Sequence, residues 1–173
     1  MGSCAWRFQW VGLLFVAMVA GCSTKPTDRK IADEEGVVRG TFVELQSAIN
    51  NHDADKLWEL MDNKSRAEAD KTAKDIQAAH AKASAEEKVK QEEALGLTGT
   101  DVARLTGRGF LQSKRFQHKY HELPDSQIEK VAVQGDNATV HYLEPDGDHE
   151  KMIFVRQDGQ WKVWLALPKV SLP

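Results

Sequence analysis

The sequence predicts an α+β fold in which N-terminal helices pack on an antiparallel β-sheet meander, with a long Ala-rich helical insertion between the two. Three observations predict it. Val37, Val38, Phe42, Leu45 and Ile49 recur at the three-to-four spacing of one helix face. From Gln127 onward the apolar period falls to two, as in half-buried strands. The alternating runs are separated by short Gly, Asp and Asn clusters, which allow hairpins but no crossovers. The chain has 173 residues, a formal charge of -3 and a mean hydropathy of -0.51. That suits one modest domain with extras and excludes a TIM barrel, a dinucleotide domain joined to a substrate domain, and a multi-pass membrane protein. Its 23 Lys and Arg are offset by 26 Asp and Glu, so the concentrated positive footprint of a nucleic-acid binder is missing and no such partner is expected.

The first element is a leader. Trp10 to Ala20 is an apolar run flanked by Arg7, too short to span about 30 Å of hydrocarbon and suited to the apolar region of a signal peptide. It ends in Val19-Ala20-Gly21-Cys22. This ending resembles the lipobox of bacterial lipoproteins. The resemblance implies cleavage before Cys22, acyl chains such as palmitate on that residue, and membrane attachment through them. Cys4 would leave with the leader, so no disulfide and no cysteine-based site is expected. Ser23 implies, by the rule of that family, the outer membrane facing the periplasm in a host with two membranes. Residues 1–21 are therefore expected as signal, 22–36 as a polar tether, and 37–168 as the folded domain.

Within the domain, Asn50-Asn51-His52-Asp53 should end the first helix, and Asp53 can cap a second one bearing Leu57, Trp58, Leu60 and Met61. Ser65, followed three residues later by Glu68, has the form of a capping box. It is expected to open the Ala-rich stretch that runs to about Glu93. A straight helix of that length would reach about 42 Å, so a bend or an excursion is expected. A solvated helix or a helical hairpin laid across the sheet is favoured over an arm that meets a partner through an Ala-rich seam. Gly96 and Gly99 bracket a turn before a short helix, and Gly107-Arg108-Gly109 lacks the rest of any nucleotide-binding pattern. Strands are expected at Gln127 to Gln134, Ala138 to Glu144, His149 to Arg156 and Trp161 to Leu167, with Asp158-Gly159 as a hairpin turn.

The helix carrying Phe42, Leu45 and Ile49, its passage into Asn51-His52-Asp53 and Leu57, and the terminal Asp158-Gly159-Gln160-Trp161-Lys162-Val163 strand together resemble the NTF2-like (cystatin-like α+β) superfamily. The likeness spans about Val37 to Leu167. It implies a curved sheet closed by helices over a cavity, often with a dimer through the outer sheet face. That fold holds isomerases, dehydratases, ligand-binding proteins and noncatalytic exported domains, so it does not decide function.

Acid–base chemistry in such a cavity needs a carboxylate or imidazole perturbed by apolar walls and a donor for developing negative charge. Asp55, Tyr120 and His141 are the catalytic candidates, and Trp58, Tyr142 and Trp164 the candidate pocket walls. His141 and Tyr142 are adjacent on a strand, so at most one faces a cavity. His118-x-x-His121-Glu122 concentrates imidazoles, yet a metal would need a third ligand from elsewhere, and no metal or cofactor is expected. Arg104, Arg108, Lys114, Arg115 and Lys119, interleaved with Phe110, Phe116 and Tyr120, make a candidate basic patch for anionic headgroups or an acidic partner. The bland alternative makes the aromatics core anchors with charged neighbours in water. The expectation is a lipid-anchored, noncatalytic binding or accessory module of the bacterial cell envelope, with an envelope protein, a small apolar ligand or a second copy as partner. Two alternatives stand beside it: a small-molecule isomerase or hydrolase using a pocket carboxylate or His, and a structural subunit docking through the Ala-rich helix.

Overall fold

The computed structural model describes residues 26–169, with side chains from residue 33 onward. The leader, the Val19 to Cys22 motif and the lipidation site at Cys22 lie outside the described residues. Within them, no helix is long and apolar enough to cross a membrane and no anchoring signal is present, so the expected description as a lipoprotein finds no support there.

Seven helices precede four strands. Helix α1 (Pro26–Asn50) takes in residues 26–36, expected as tether, and its Val38, Phe42, Leu45, Ala48 and Ile49 are buried against the sheet. Each large one contributes about 1.5–3 kcal/mol through burial. Val37, assigned by spacing to the same face, is exposed. Helix α2 (Ala54–Leu60) is capped as its sequence predicts, with the Asp53 carboxylate accepting the N–H of Lys56 at 2.9 Å.

The Ala-rich stretch is two helices, α3 (Asn63–Lys82) and α4 (Ala85–Leu95). Asp62, not Ser65, caps α3, accepting the Ser65 N–H at 2.8 Å. The Ser65 hydroxyl is thereby left for another partner. Ser84 and Glu87 form a reciprocal capping box that starts α4, which is why the expected single helix breaks at Ala83. His80 Nε2 lies 3.0 Å from Glu92 Oε1 and ties the pair together. Gly96 ends α4 at φ +66, a left-handed conformation that suits glycine. Three short helices follow: α5 (Gly99–Ala103), α6 (Gly107–Phe110) and α7 (Lys114–Lys119). Ala73, Ile76, Leu95, Val102, Leu105 and Phe110 form a small core of their own, separate from the main one between α1 and the sheet. The excursion is therefore a packed helical unit with its own buried residues.

Strands β1 (Gln127–Gln134), β2 (Asn137–Leu143), β3 (His149–Gln157) and β4 (Gln160–Trp164) form an antiparallel sheet in sequence order. The meander is as expected; the curvature and the NTF2-like resemblance are not. The sheet is flat and open, with helices preceding it, and it does not curl into a wrap around a cavity. The strands pair in sequence order, the outer edge of β4 is bridged in parallel by Met61 with the Asp62 N–H donating to the Val163 carbonyl at 2.9 Å, and the one register shift among the described strand pairs lies between Ile128 and Lys130. With few bulges, little bends the sheet. Strand β4 also stops at Trp164, short of the expected Leu167. The Ala166 carbonyl, which the strand alternation would direct at β3, instead accepts the Tyr120 hydroxyl at 2.7 Å, while on the opposite edge the Leu165 N–H donates to the Ser65 hydroxyl at 2.9 Å.

Candidate functional site

Because β4 ends early while β3 continues back to His149, a notch of about 240 Å³ opens at that end of the sheet, lined by Tyr120, Tyr142, Glu144, Glu150, Lys151 and Trp164, among others. Tyr142 lies on the helix-facing side of β2 and is buried, while its neighbour His141 is exposed on the other side. Tyr120 ends α7, where its ring packs at 5.1 Å on that of Phe116.

Glu144 opens the turn between β2 and β3. Its N–H donates to the Asp148 carbonyl at 2.9 Å, and the Asp148 N–H in turn donates to Oδ1 of Asp146 at 3.0 Å. This geometry folds Asp146 back toward Glu144. Glu122, just before the 3-10 turn Leu123–Asp125, completes a trio whose carboxylate oxygens lie within 4.8 Å of one another. One Glu122 oxygen is 3.2 Å from His121 Nε2; the other, Oε2, is buried and has no hydrogen-bond partner among the described residues.

Crowded carboxylates cannot all ionise cheaply. Burial, first, and then the negative charges of Glu122, Glu150, Asp146 and Asp148 hold the Glu144 carboxyl above its ordinary range. The two phenols shift the same way: burial raises Tyr120, and burial reinforced by Glu144 and Glu150 raises Tyr142. Both therefore remain O–H donors at any ordinary pH. A carboxyl whose hold on its proton is strengthened, beside a buried phenol, is a pairing suited to proton transfer. Three clustered carboxylates are also a donor set acceptable to a hard divalent cation, which would compete with that proton.

The structure brings together Tyr120, Tyr142, Trp164 and Lys119 from the sequence candidates at this notch. It separates the others. Asp55 is exposed and ion-paired at 2.7 Å with Arg108, and Trp58 lies elsewhere, flanked by the Arg66 and Arg108 guanidinium groups at 5.8 and 5.9 Å. Of the basic residues, Arg108 serves Asp55, Lys114 covers Gly96, and Lys119 sits over the Tyr120 ring at 5.7 Å, while Arg104 ends α5 and Arg115 lies within α7. Phe110, Leu111 and Phe116 are fully buried, as the bland reading had them. His118 and His121 stack at 5.3 Å, and with His52 they line a separate pocket of about 340 Å³. A wider groove of about 700 Å³ between α1, α2 and β4 has charges that satisfy one another: Glu34 with Arg156, Lys56 with Glu44 at 2.7 Å, and Lys162 with the Glu59 carbonyl at 2.9 Å.

Sequence reasoning missed Glu122, Glu144 and Asp146 as a group. Glu122 stood out only as the end of a histidine motif, and Glu144 and Asp146 only as strand end and turn. Their gathering corrects the expectation of a noncatalytic module, because a perturbed carboxylate cluster beside two buried phenols has chemistry that a passive module does not need. No family model, no curated protein and no solved structure matches this chain.

Proposed function

We propose that the notch is the active site of an acid–base enzyme acting on a small substrate, of the isomerase or hydrolase class. Glu144 exchanges the proton and the Tyr142 hydroxyl donates to the oxygen that gains negative charge. The observation that carries the reading is the Glu122, Glu144 and Asp146 trio, within which the Glu144 carboxyl is raised by burial and by its neighbours' charge. An upward shift of a carboxyl is the direction that general acid catalysis uses. Beside it Glu122 contributes a buried oxygen with no hydrogen-bond partner among the described residues.

The test compares the full chain with E144Q and Y142F on a panel of activated esters and enolisable ketones, following turnover against pH. The expected result is activity in the wild type that falls by about 10²-fold or more in E144Q, and less in Y142F. Equal activity in all three would sink the reading. So would tight binding of calcium or manganese by the trio with no turnover, since a cation coordinated by Glu144 would take the place of its proton. The proposed location is the cell envelope, supported by the leader-like Trp10 to Ala20 run and checked by fractionating cells that express the full chain.

A further inference from the structure

The backbone of the notch carries information that its side chains do not. In an antiparallel pair, residues alternate between bonding one neighbour strand and the other. Two bonds fix the phase for β3: Glu144 N–H to the Asp148 carbonyl at 2.9 Å, and Arg156 N–H to the Asp136 carbonyl at 2.8 Å. With no register shift between β2 and β3, the even-numbered residues of β3 bond toward β2. Odd-numbered residues therefore point their N–H and C=O groups toward β4. Gln157, Val155 and Ile153 find Gln160, Lys162 and Trp164 there. By the same alternation Lys151 would meet Ala166, but the Ala166 carbonyl is taken by the Tyr120 hydroxyl. Lys151 and His149 thus present backbone donors and acceptors to which no described residue is paired, and Lys151 lines the notch.

Unpaired edge groups beside a cavity are a template for an added strand. The charge around them selects the occupant. Glu122, Glu144, Asp146, Asp148 and Glu150 crowd this end of the sheet, against Lys119 and Lys151. We propose that the notch binds a short extended peptide carrying a basic side chain, which runs antiparallel to β3 in line with β4 and pairs with the backbone of Lys151 and His149. A peptide residue opposite Lys151 turns its side chain to the outer face beside Trp164. The next residue turns inward toward Tyr142, Glu144 and Glu150, where a lysine or arginine finds its carboxylate. That the peptide is a substrate rests on the acid–base reading above; the pairing itself does not.

The experiment titrates the full chain, labelled with nitrogen-15, with a blocked pentapeptide of alternating valine and lysine, and with the same peptide methylated on the nitrogens that would face β3. A third peptide carries glutamate for lysine. Expected are amide shifts centred on His149, Lys151 and Trp164, with binding weakened about tenfold or more by methylation and likewise by glutamate. No shift at these amides, or equal binding of the methylated peptide, would overturn the strand pairing; equal binding of the glutamate peptide would overturn the basic preference. The Glu144 titration, followed by carbon-13 in the same samples, tests the other reading separately. Loss of pairing leaves a raised Glu144 intact, and an ordinary Glu144 titration leaves the pairing intact.

Discussion

The Ser65 hydroxyl accepts the backbone N–H of Leu165 at 2.9 Å, and both residues are fully buried. One side chain in the first turn of α3 thereby fastens the edge of the chain that faces away from β3, just past the end of β4. Ser65→Ala leaves that N–H without a partner in a dry setting. It should destabilise the fold by about 1–3 kcal/mol, read as a lower urea midpoint, and broaden the amide signals of Leu165 and Ala166. An unchanged midpoint would mean the N–H finds another acceptor.

Glu144 gives a stability signature whose sign follows from its environment. Its carboxyl is raised in the folded protein from an ordinary value of 4.5, so on raising the pH the unfolded chain loses this proton first. Where the folded state binds more protons, stability falls as pH rises. The cost is absent below the unfolded value and complete above the folded one. Glu144→Gln should therefore raise the thermal midpoint at neutral pH, with the gain fading toward pH 4. A gain that grows on acidification would contradict the crowding of the trio.

Two sets of glycines should respond in opposite directions. A Cβ on Gly107 would lie 2.7 Å from the Asp70 nitrogen and 2.9 Å from the Ala69 carbonyl carbon, backbone atoms that cannot swing aside. The Gly107 N–H also donates to Asp70 Oδ1 at 3.1 Å. Gly107→Ala should cost about 1–3 kcal/mol. Gly36 and Gly40, in α1, have open space where a Cβ would go, so alanine there should add about 0.5–1 kcal/mol each. Chemical denaturation of the three variants checks both directions.

The Glu34 carboxylate accepts from the Arg156 guanidinium and, at 3.0 Å, from the Trp161 indole N–H, while Arg156 also lies over the Trp161 ring at 4.6 Å. These contacts fasten the outer half of α1 to β3 and β4. Glu34→Ala should cost about 1–2 kcal/mol and change the tryptophan emission, because the indole loses its acceptor. Identical emission would show that Trp161 does not depend on this carboxylate.

Local signals in the sequence carried over well. The Asp53 cap, the Asp158-Gly159 turn with both residues at positive φ, and the start of each strand to within a residue were legible because they depend on near neighbours. Longer-range competition was not. Ser65 followed by Glu68 has the pattern of a cap, but Asp62 takes that role and the hydroxyl is committed to a residue far along the chain. The bond of the Tyr120 hydroxyl to the Ala166 carbonyl, also between residues far apart in sequence, takes a group that would otherwise face β3. The carboxylate trio escaped notice for a related reason: Glu122 and Glu144 come from unrelated turns, and only the packing of α7 and the 3-10 turn against the β2–β3 hairpin brings them near. Sheet curvature was likewise beyond the pattern of alternation, which reports faces and says nothing of how a sheet bends.

Leu167 packs against both cores. A side chain shared in this way acts as a fuse between two cooperative units. Hydrogen exchange in α3 to α6 can then proceed through openings that leave α1 and the sheet closed, on a free-energy scale below that of global unfolding. Shortening Leu167 to alanine should widen the gap between those two exchange regimes. The segment that ends β4 early thus also sets how independently the helical half of the molecule breathes.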